Sequence, residues 1–268
     1  MPETTPIRII EKPTVYVLGR QMVDPGEMGR FLSDHGVNWQ SDSMIPAEVL
    51  TESAGRVCYM SFAKPRPGGN ATYLEHIKES GHGSVLEHAV WNLLITGVSR
   101  TLTHELIRHR AGMGYSQLSQ RYVDESVAEY VEPALIANDP ELHAMWVESV
   151  NQSHQAYCRL AERLASLISN NPATKDLPAT DRRKSARQAA RSVLPNATET
   201  KIFVTANARA LRNFLEQRGS RHAEPEIRML ANAVCELMHR EAPNIFGDYR
   251  LDPLPDGTFE VTTEYRKV

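Results

Sequence analysis

The chain carries one weak internal repeat, and this constrains its fold more than any other feature. Shifted by 109 residues, the sequence aligns Thr96 with Thr205, Arg100 with Arg209, Leu102 with Leu211 and Leu106 with Leu215. An apolar run of strand length precedes each copy, Leu93-Leu94-Ile95 in the first and Ile202-Phe203-Val204 in the second. Each run leads into leucines at helical spacing, and basic side chains close each helix, His109 aligning with Arg218. Two like strand-then-helix units are expected to pair across one sheet and to aim their arginine-bearing helices at a common cleft.

The distribution of charge sharpens that expectation. The 268 residues hold 30 Lys+Arg against 33 Asp+Glu, a formal net charge of −3. Residues 182–221 nevertheless carry ten basic side chains against Glu199 and Glu216, a local charge of +8. A smaller cluster sets Arg100, Arg108, Arg110 and Arg121 against Glu105. Nearly all are arginines, whose planar fork of donors suits phosphate, carboxylate and heterocycle edges. Solvated helix faces are the plain alternative. Net acidity and the lack of interleaved aromatics disfavour a polynucleotide and favour a small anionic ligand. No apolar stretch approaches the roughly 18 residues of a membrane span, and Met1-Pro2-Glu3-Thr4-Thr5 lacks a signal layout. Cys58, Cys158 and Cys235 sit at no metal-like spacing, so a cytoplasmic protein with reduced thiols is expected.

Periodicity and punctuation place the elements. Residues 1–45 give no clear pattern. Residues 46–62 read as a helix with Val49, Leu50, Ala54, Val57 and Cys58 on its apolar face. Residues 64–69 read as a loop, and Tyr73, Leu74 and Ile77 as a short helix ending near Gly81. Residues 89–96 alternate as a strand, and Ser99 caps the helix that follows. Tyr157, Leu160, Ala161, Leu164 and Ile168 mark a long helix, and residues 170–181 a loop. Residues 182–193 read as helix, 200–206 as strand, 208–217 as helix, and 225–243 as a helix with proline at each end. Asp256-Gly257 predicts a terminal hairpin. Cys58 and Cys235 fall beside apolar stripes, which predicts packing rather than nucleophilic chemistry.

Three constellations bear on chemistry. In His104-Glu105-Leu106-Ile107-Arg108-His109 the histidines are five apart where a zincin helix needs four, and Arg108 and Arg110 would repel a cation, so no metal site is expected. His82-Gly83-Ser84-Val85-Leu86-Glu87-His88 leads into a strand, and both a polar loop and a set of backbone donors to a cofactor are open readings. The most informative tract is Arg108-His109-Arg110-Ala111-Gly112-Met113-Gly114-Tyr115-Ser116-Gln117-Leu118-Ser119-Gln120-Arg121-Tyr122. Arginines end a helix, glycines permit a turn, and a polar cluster returns with another arginine. Such a tract can wrap an anion or a planar polar ring with charge-assisted hydrogen bonds.

This tract resembles the signature of the flavin-dependent thymidylate synthases: Arg-His-Arg, a spacer, then Ser followed closely by Arg-Tyr. Residues 81–88, 186–196 and 207–222 are similar to further family segments, in the family's order, so the resemblance covers roughly residues 50–245. One departure stands out. The spacer between Arg110 and Ser119 has eight residues where the family usually has seven, which places the additional one within 111–114.

The resemblance implies an α+β fold with a central, mostly antiparallel sheet and flanking helices, assembled as a homotetramer with shared active sites. It implies one catalytic domain over residues 1–268, with 1–45 as an N-terminal extension and 243–268 as a C-terminal tail. It further implies reductive C5 methylation of dUMP to dTMP with FAD, NADPH as reductant and 5,10-methylenetetrahydrofolate as one-carbon donor. A related C5-methylase acting on UMP is the alternative, and a non-catalytic nucleotide- or RNA-binding protein a more distant one. Carried over residue by residue, Ser84, Arg108, His109, Arg110, Gln117, Asn207, Arg209 and Asn213 would contact FAD. Glu105, Arg108, Gln117, Ser119, Gln120, Arg121, Arg191 and Arg218 would hold the nucleotide. Arg121 and Arg191 would neutralise its phosphate, Arg218 would act catalytically along the pyrimidine edge, and His82 would support flavin reduction.

Overall fold

The computed structural model describes residues 7–64, 67–174 and 176–268. In chain order the strands are β1 (Arg8–Ile10), β2 (Thr14–Arg20), β3 (Val90–Ser99), β4 (Met113–Gln117), β5 (Glu129–Val131), β6 (Glu199–Asn207), β7 (Arg250–Pro253) and β8 (Phe259–Thr262). The helices are α1 (Pro25–Asp34), α2 (Pro46–Tyr59), α3 (Gly69–Glu79), α4 (Arg100–Leu106), α5 (Ala134–Ala137), α6 (Pro140–Asn170), α7 (Ala179–Ala190), α8 (Ala208–Arg218), α9 (Pro225–Glu241) and α10 (Pro243–Phe246). Four strands form an antiparallel sheet in the order β2–β3–β6–β4. The strands of the two repeated units, β3 and β6, are therefore neighbours.

The chain gathers into two compact units. The larger takes Pro13–Ile95, Glu105–Tyr115 and Phe203–Val268; the smaller takes residues 7–12, Thr96–His104 and Ser116–Ile202. In the larger unit the alternation of β3 buries Trp91, Leu93 and Ile95, and Trp91 meets Phe246 edge-on at 5.8 Å. Helix α9 packs on α8 and buries Ile227, Leu230, Ala231, Val234, Cys235 and Met238 at three- and four-residue spacing. Cys235 is thus a core residue, as expected. Arg212 of α8 is fully buried and bidentate to Asp248, both contacts 2.8 Å, and Lys78 reaches the same carboxylate at 3.0 Å. Burial alone would raise the Asp248 pKa, but the Arg212 hydrogen bonds and the two cations hold it near 2. The predicted hairpin is present: β7 and β8 pair antiparallel, and Gly257 takes φ +80 between them.

Helix α2 forms where expected but turns the other way. Its buried residues include Glu48, Thr51, Glu52, Ser53 and Arg56, while Val57 and Cys58 are exposed. The reason is a satisfied polar network. Arg56 donates to Glu52 at 2.8 Å and lies 5.5 Å from the Trp39 ring and 4.9 Å from that of Tyr73. Glu48 accepts from Ser43 and Asn244, and Glu52 accepts from Asn70. Buried polar groups with every partner in place outweigh a thin apolar stripe. Pro65 and Arg66, within the predicted 64–69 loop, lie outside the described residues; α3 already begins at Gly69.

In the smaller unit β1 and β5 pair in parallel, Ile9 opposite Tyr130. Helix α6 runs 31 residues, is capped by Asp139, and packs on α7. Helix α7 starts at Ala179, so the loop before it is shorter than residues 170–181. Among the described residues no helix is long and apolar enough to cross a membrane.

Candidate active site

In the larger unit the site grows from the turn that follows α4. The helix ends at Leu106, so Arg108, His109 and Arg110 stand beyond it rather than on its last turn. The Tyr115 hydroxyl ties this turn down, 2.7 Å from the His109 carbonyl and 3.0 Å from that of Leu106. Burial pushes the Tyr115 phenol up to about 12, which keeps it a donor. The longer spacer forms a turn at Ala111-Gly112, where Gly112 takes φ +70 and its carbonyl accepts from the Asn207 N–H at 3.0 Å. A Cβ at Gly112 would sit 2.6 Å from the Asn207 side chain, so glycine is required there on both counts.

Arg218, at the end of α8, closes on this turn. Its Nε donates to His109 Nε2 at 3.0 Å and its Nη1 to Glu105 at 2.7 Å. His109 is buried, with its ring edge-on to Phe214 at 5.5 Å. Burial, then Arg218 and Arg108, lower its pKa to about 4, so the ring is neutral and its Nε2 lone pair faces the guanidinium. Among the described residues nothing accepts from Arg218 Nη2. A cavity of about 390 Å³ opens here, lined by Arg108, His109, Arg110, Asn213, Gln217 and Arg218.

A second cavity in this unit, about 300 Å³, shares Ala111, Ala210 and Asn213 with the first and adds Gly112, Asn207 and Arg209. Asn207 caps α8, its Oδ1 accepting from the Ala210 N–H at 2.8 Å, and Arg209 pairs with Glu87 at 2.6 Å. His82 and Ser84 lie exposed at the short turn Gly83–His88 and line neither cavity.

The smaller unit holds the remaining candidates. Gln117 donates to Thr103 at 3.1 Å and Thr200 at 3.3 Å. Ser119 opens a turn, its carbonyl accepting from the Tyr122 and Val123 N–H groups. Gln120 Nε2, Arg121 Nε and Arg100 Nη1 are buried donors without a partner. Arg100 was visible in the basic cluster but not singled out as a site residue. Burial lowers its pKa, Glu125 opposes that, and Arg191 adds to it, so two arginines here lie within one another's field. Arg187 donates to the Tyr122 carbonyl at 2.7 Å and to Asp124 at 2.8 Å, and the Lys184 ammonium lies 4.9 Å from the Tyr122 ring.

Comparison with known proteins settles the family. Residues 42–244 match the family model described as "Thymidylate synthase complementing protein". A flavin-dependent thymidylate synthase of Mycobacterium sp. (strain JLS) is 47% identical over 266 residues, 98% of each chain. The chain belongs to the flavin-dependent thymidylate synthase family. The family match spans every candidate residue from His82 to Arg218, while the Mycobacterium match extends through the terminal hairpin as well. A second member, from Mycobacteroides abscessus, is 48% identical over 85% of this chain and 89% of its own. Among solved structures, a UMP/dUMP methylase PolB from Streptomyces cacaoi, bound with 5-Br dUMP, superposes with TM-score 0.63 at 19% identity, covering 90% of this chain and 96% of that one. It shares the fold.

Proposed function

We propose that the protein carries out reductive C5 methylation of dUMP to dTMP, with FAD reduced by NADPH and 5,10-methylenetetrahydrofolate as one-carbon donor. The Arg218 clamp carries this reading. A guanidinium held by two acceptors, with one edge unengaged beside a cavity, is oriented before any substrate arrives. Directed at the pyrimidine edge, it would stabilise negative charge developing at N3 and the ring carbonyls, in the manner of a preorganised donor. Glu105 and neutral His109 are the acceptors that fix it, and the neutral imidazole adds no competing charge. Arg121 and Arg191 would neutralise the phosphate. The buried unpartnered donors of Arg100, Gln120 and Arg121 support an anionic ligand, since each unmade hydrogen bond costs about 1–3 kcal/mol until a partner arrives.

The second cavity fits part of a flavin dinucleotide in size and chemistry. Asn207, Arg209 and Asn213 offer polar contacts, and bare Gly112 lets a ligand approach the backbone. Ser84, Arg108, His109, Arg110 and Gln117 would add to its binding, and His82 would support its reduction. FAD, when bound, supplies the hydride chemistry. No thiol is poised as a nucleophile: burial pushes Cys235 up to about 12 and raises Cys158, which supports a route without enzyme covalency.

The whole of residues 1–268 would act as one catalytic domain in a cytoplasmic homotetramer. Leu142, Met145, Leu160 and Leu167 stand exposed along α6, a surface that a second copy would cover. The test is turnover. Purified protein with FAD, NADPH and methylenetetrahydrofolate should convert dUMP to dTMP faster than it methylates UMP. Preference for UMP would replace dUMP as the acceptor, and protein that takes up no FAD would refute the reading.

A further inference from the structure

One side of the cavity lined by Asn207, Arg209 and Asn213 is made by residues of the C-terminal tail, which no sequence signal singled out. Lys267 and Val268 line it together with Glu216. Three attachments hold the tail in place. Thr263 donates to Asp248 at 2.5 Å and accepts from the Tyr265 N–H at 3.0 Å. Buried Arg212 donates to the Tyr265 carbonyl at 3.1 Å, and the Lys78 ammonium lies 5.4 Å from the Tyr265 ring. Finally, the Lys267 N–H is shared between both oxygens of Glu216, at 3.0 and 3.1 Å.

These attachments differ in kind. The first two hang on the buried Arg212–Asp248 pair and are firm. The third demands φ +63 at Lys267, a left-handed backbone that a non-glycine residue adopts at a cost. Past that point Val268 is buried against Gly83: a Cβ there would lie 2.6 Å from the Val268 carbonyl carbon and 3.1 Å from Arg209 Nε. The tail therefore has a fixed root at Tyr265 and a strained, exposed catch at Lys267, and its far side touches the arginine of the cavity.

We propose that residues 265–268 are a latch on this cavity, held shut by the Lys267–Glu216 contact, and that the latch sets how fast a bound flavin dinucleotide leaves. This rests on the reading that FAD occupies the cavity. Opening the catch swings Lys267 and Val268 away from Arg209 and exposes the ligand to solvent without disturbing Asn207 or Asn213.

Two substitutions at one position test it, on the full chain loaded with FAD. Lys267→Pro removes the N–H and cannot adopt a positive φ, so the catch is lost. Lys267→Gly keeps the N–H and favours the left-handed backbone while deleting the ammonium. Flavin dissociation is followed by fluorescence after dilution, and melting of the apoproteins reports their folding. Lys267→Pro should lose flavin about tenfold faster than the parent, the equivalent of one charge-assisted hydrogen bond. Lys267→Gly should track the parent. Unchanged dissociation in Lys267→Pro overturns the latch. Equal acceleration in both variants also overturns it, since the ammonium charge would then be responsible. A parent protein that binds no FAD overturns the flavin reading and the latch with it.

Discussion

The contact between His109 and Arg218 makes a quantitative claim about pH. The folded state holds the His109 imidazole near a pKa of about 4, against an ordinary value of 6.5, through burial and then the Arg218 and Arg108 charges. The surrounding groups reinforce this. Arg218 donates to the ring, Glu105 is engaged by Arg218, Phe214 packs on one side, and Tyr115 binds the His109 carbonyl. Between these two pKa values the unfolded chain binds a proton that the folded protein refuses, so the stability tied to this residue is present above pH 6.5 and is lost as pH falls toward 4. Linkage puts the loss at about 2 kcal/mol by pH 5 and about 3 kcal/mol by pH 4. His109→Gln places an amide oxygen where Nε2 stood, keeps an acceptor for Arg218 and does not titrate. Denaturant unfolding of parent and variant at pH 7.5 and pH 5 isolates the effect, because other titrating groups change both proteins alike. The parent should lose about 2 kcal/mol more than the variant between those two conditions. Equal losses would refute the assignment of a neutral, charge-crowded imidazole.

Three further outcomes follow from the same geometry. Arg218→Ala should lower turnover by about a hundredfold or more while flavin absorbance is retained, because it removes a donor that acts on developing charge; near-parental turnover would sink that role. Gly112→Ala forces a Cβ onto Asn207 at positive φ and should cost about 1–3 kcal/mol in stability, with weaker FAD binding by titration; a parent-like melting temperature argues against it. Asp248→Asn strips the shared carboxylate from Arg212 and Lys78 and should destabilise by about 3–5 kcal/mol. Guanidinium denaturation checks this, and an unchanged midpoint would show that the buried cations do not depend on that charge.

The parts of the fold that sequence made legible are those whose burial follows periodicity. Helix α9, with Pro225 at its start and an apolar residue every third or fourth position, packs its stripe as read. The strand β3 and its cap at Ser99 are in place, Leu102 N–H donating to Ser99 Oγ at 3.0 Å. Residues 1–45 did carry signals that went unread. Asp24-Pro25 is a helix start, with Asp24 accepting from Gly26 and Glu27, and the alternation of 14–20 is a strand. Helix α2 was misread in orientation because its stability lies in Arg56 and its partners from three other segments, and hydrophobic periodicity cannot see hydrogen bonds that join distant residues. The strand β4 inside the arginine tract was hidden for a similar reason: two glycines in 112–114 read as a turn, and pairing with β6 is what extends the backbone.

The site itself shows why a cluster of like charge is a poor guide until its partners are known. Of the arginines concentrated in residues 182–221, Arg187 is spent on Asp124, Arg209 on Glu87, Arg212 on Asp248 and Arg221 on Glu260. For Arg212 and Arg221 the plain structural reading holds. Arg218 lies six residues beyond Arg212 on the same helix and differs in what it meets: an uncharged imidazole through one nitrogen and a carboxylate through another, with a third left over. Arg212, by contrast, is saturated by Asp248 and backbone carbonyls and has no donor pair to turn outward. The internal repeat gave the more discriminating signal. His109 and Arg218 occupy equivalent positions after its two strands, and the neighbouring places of β3 and β6 in the sheet carry them to within 3.0 Å of each other. Duplicated scaffolds bring equivalent positions together. Here divergence has made one an acceptor and the other a donor, which converts a like-charged pair into an oriented one.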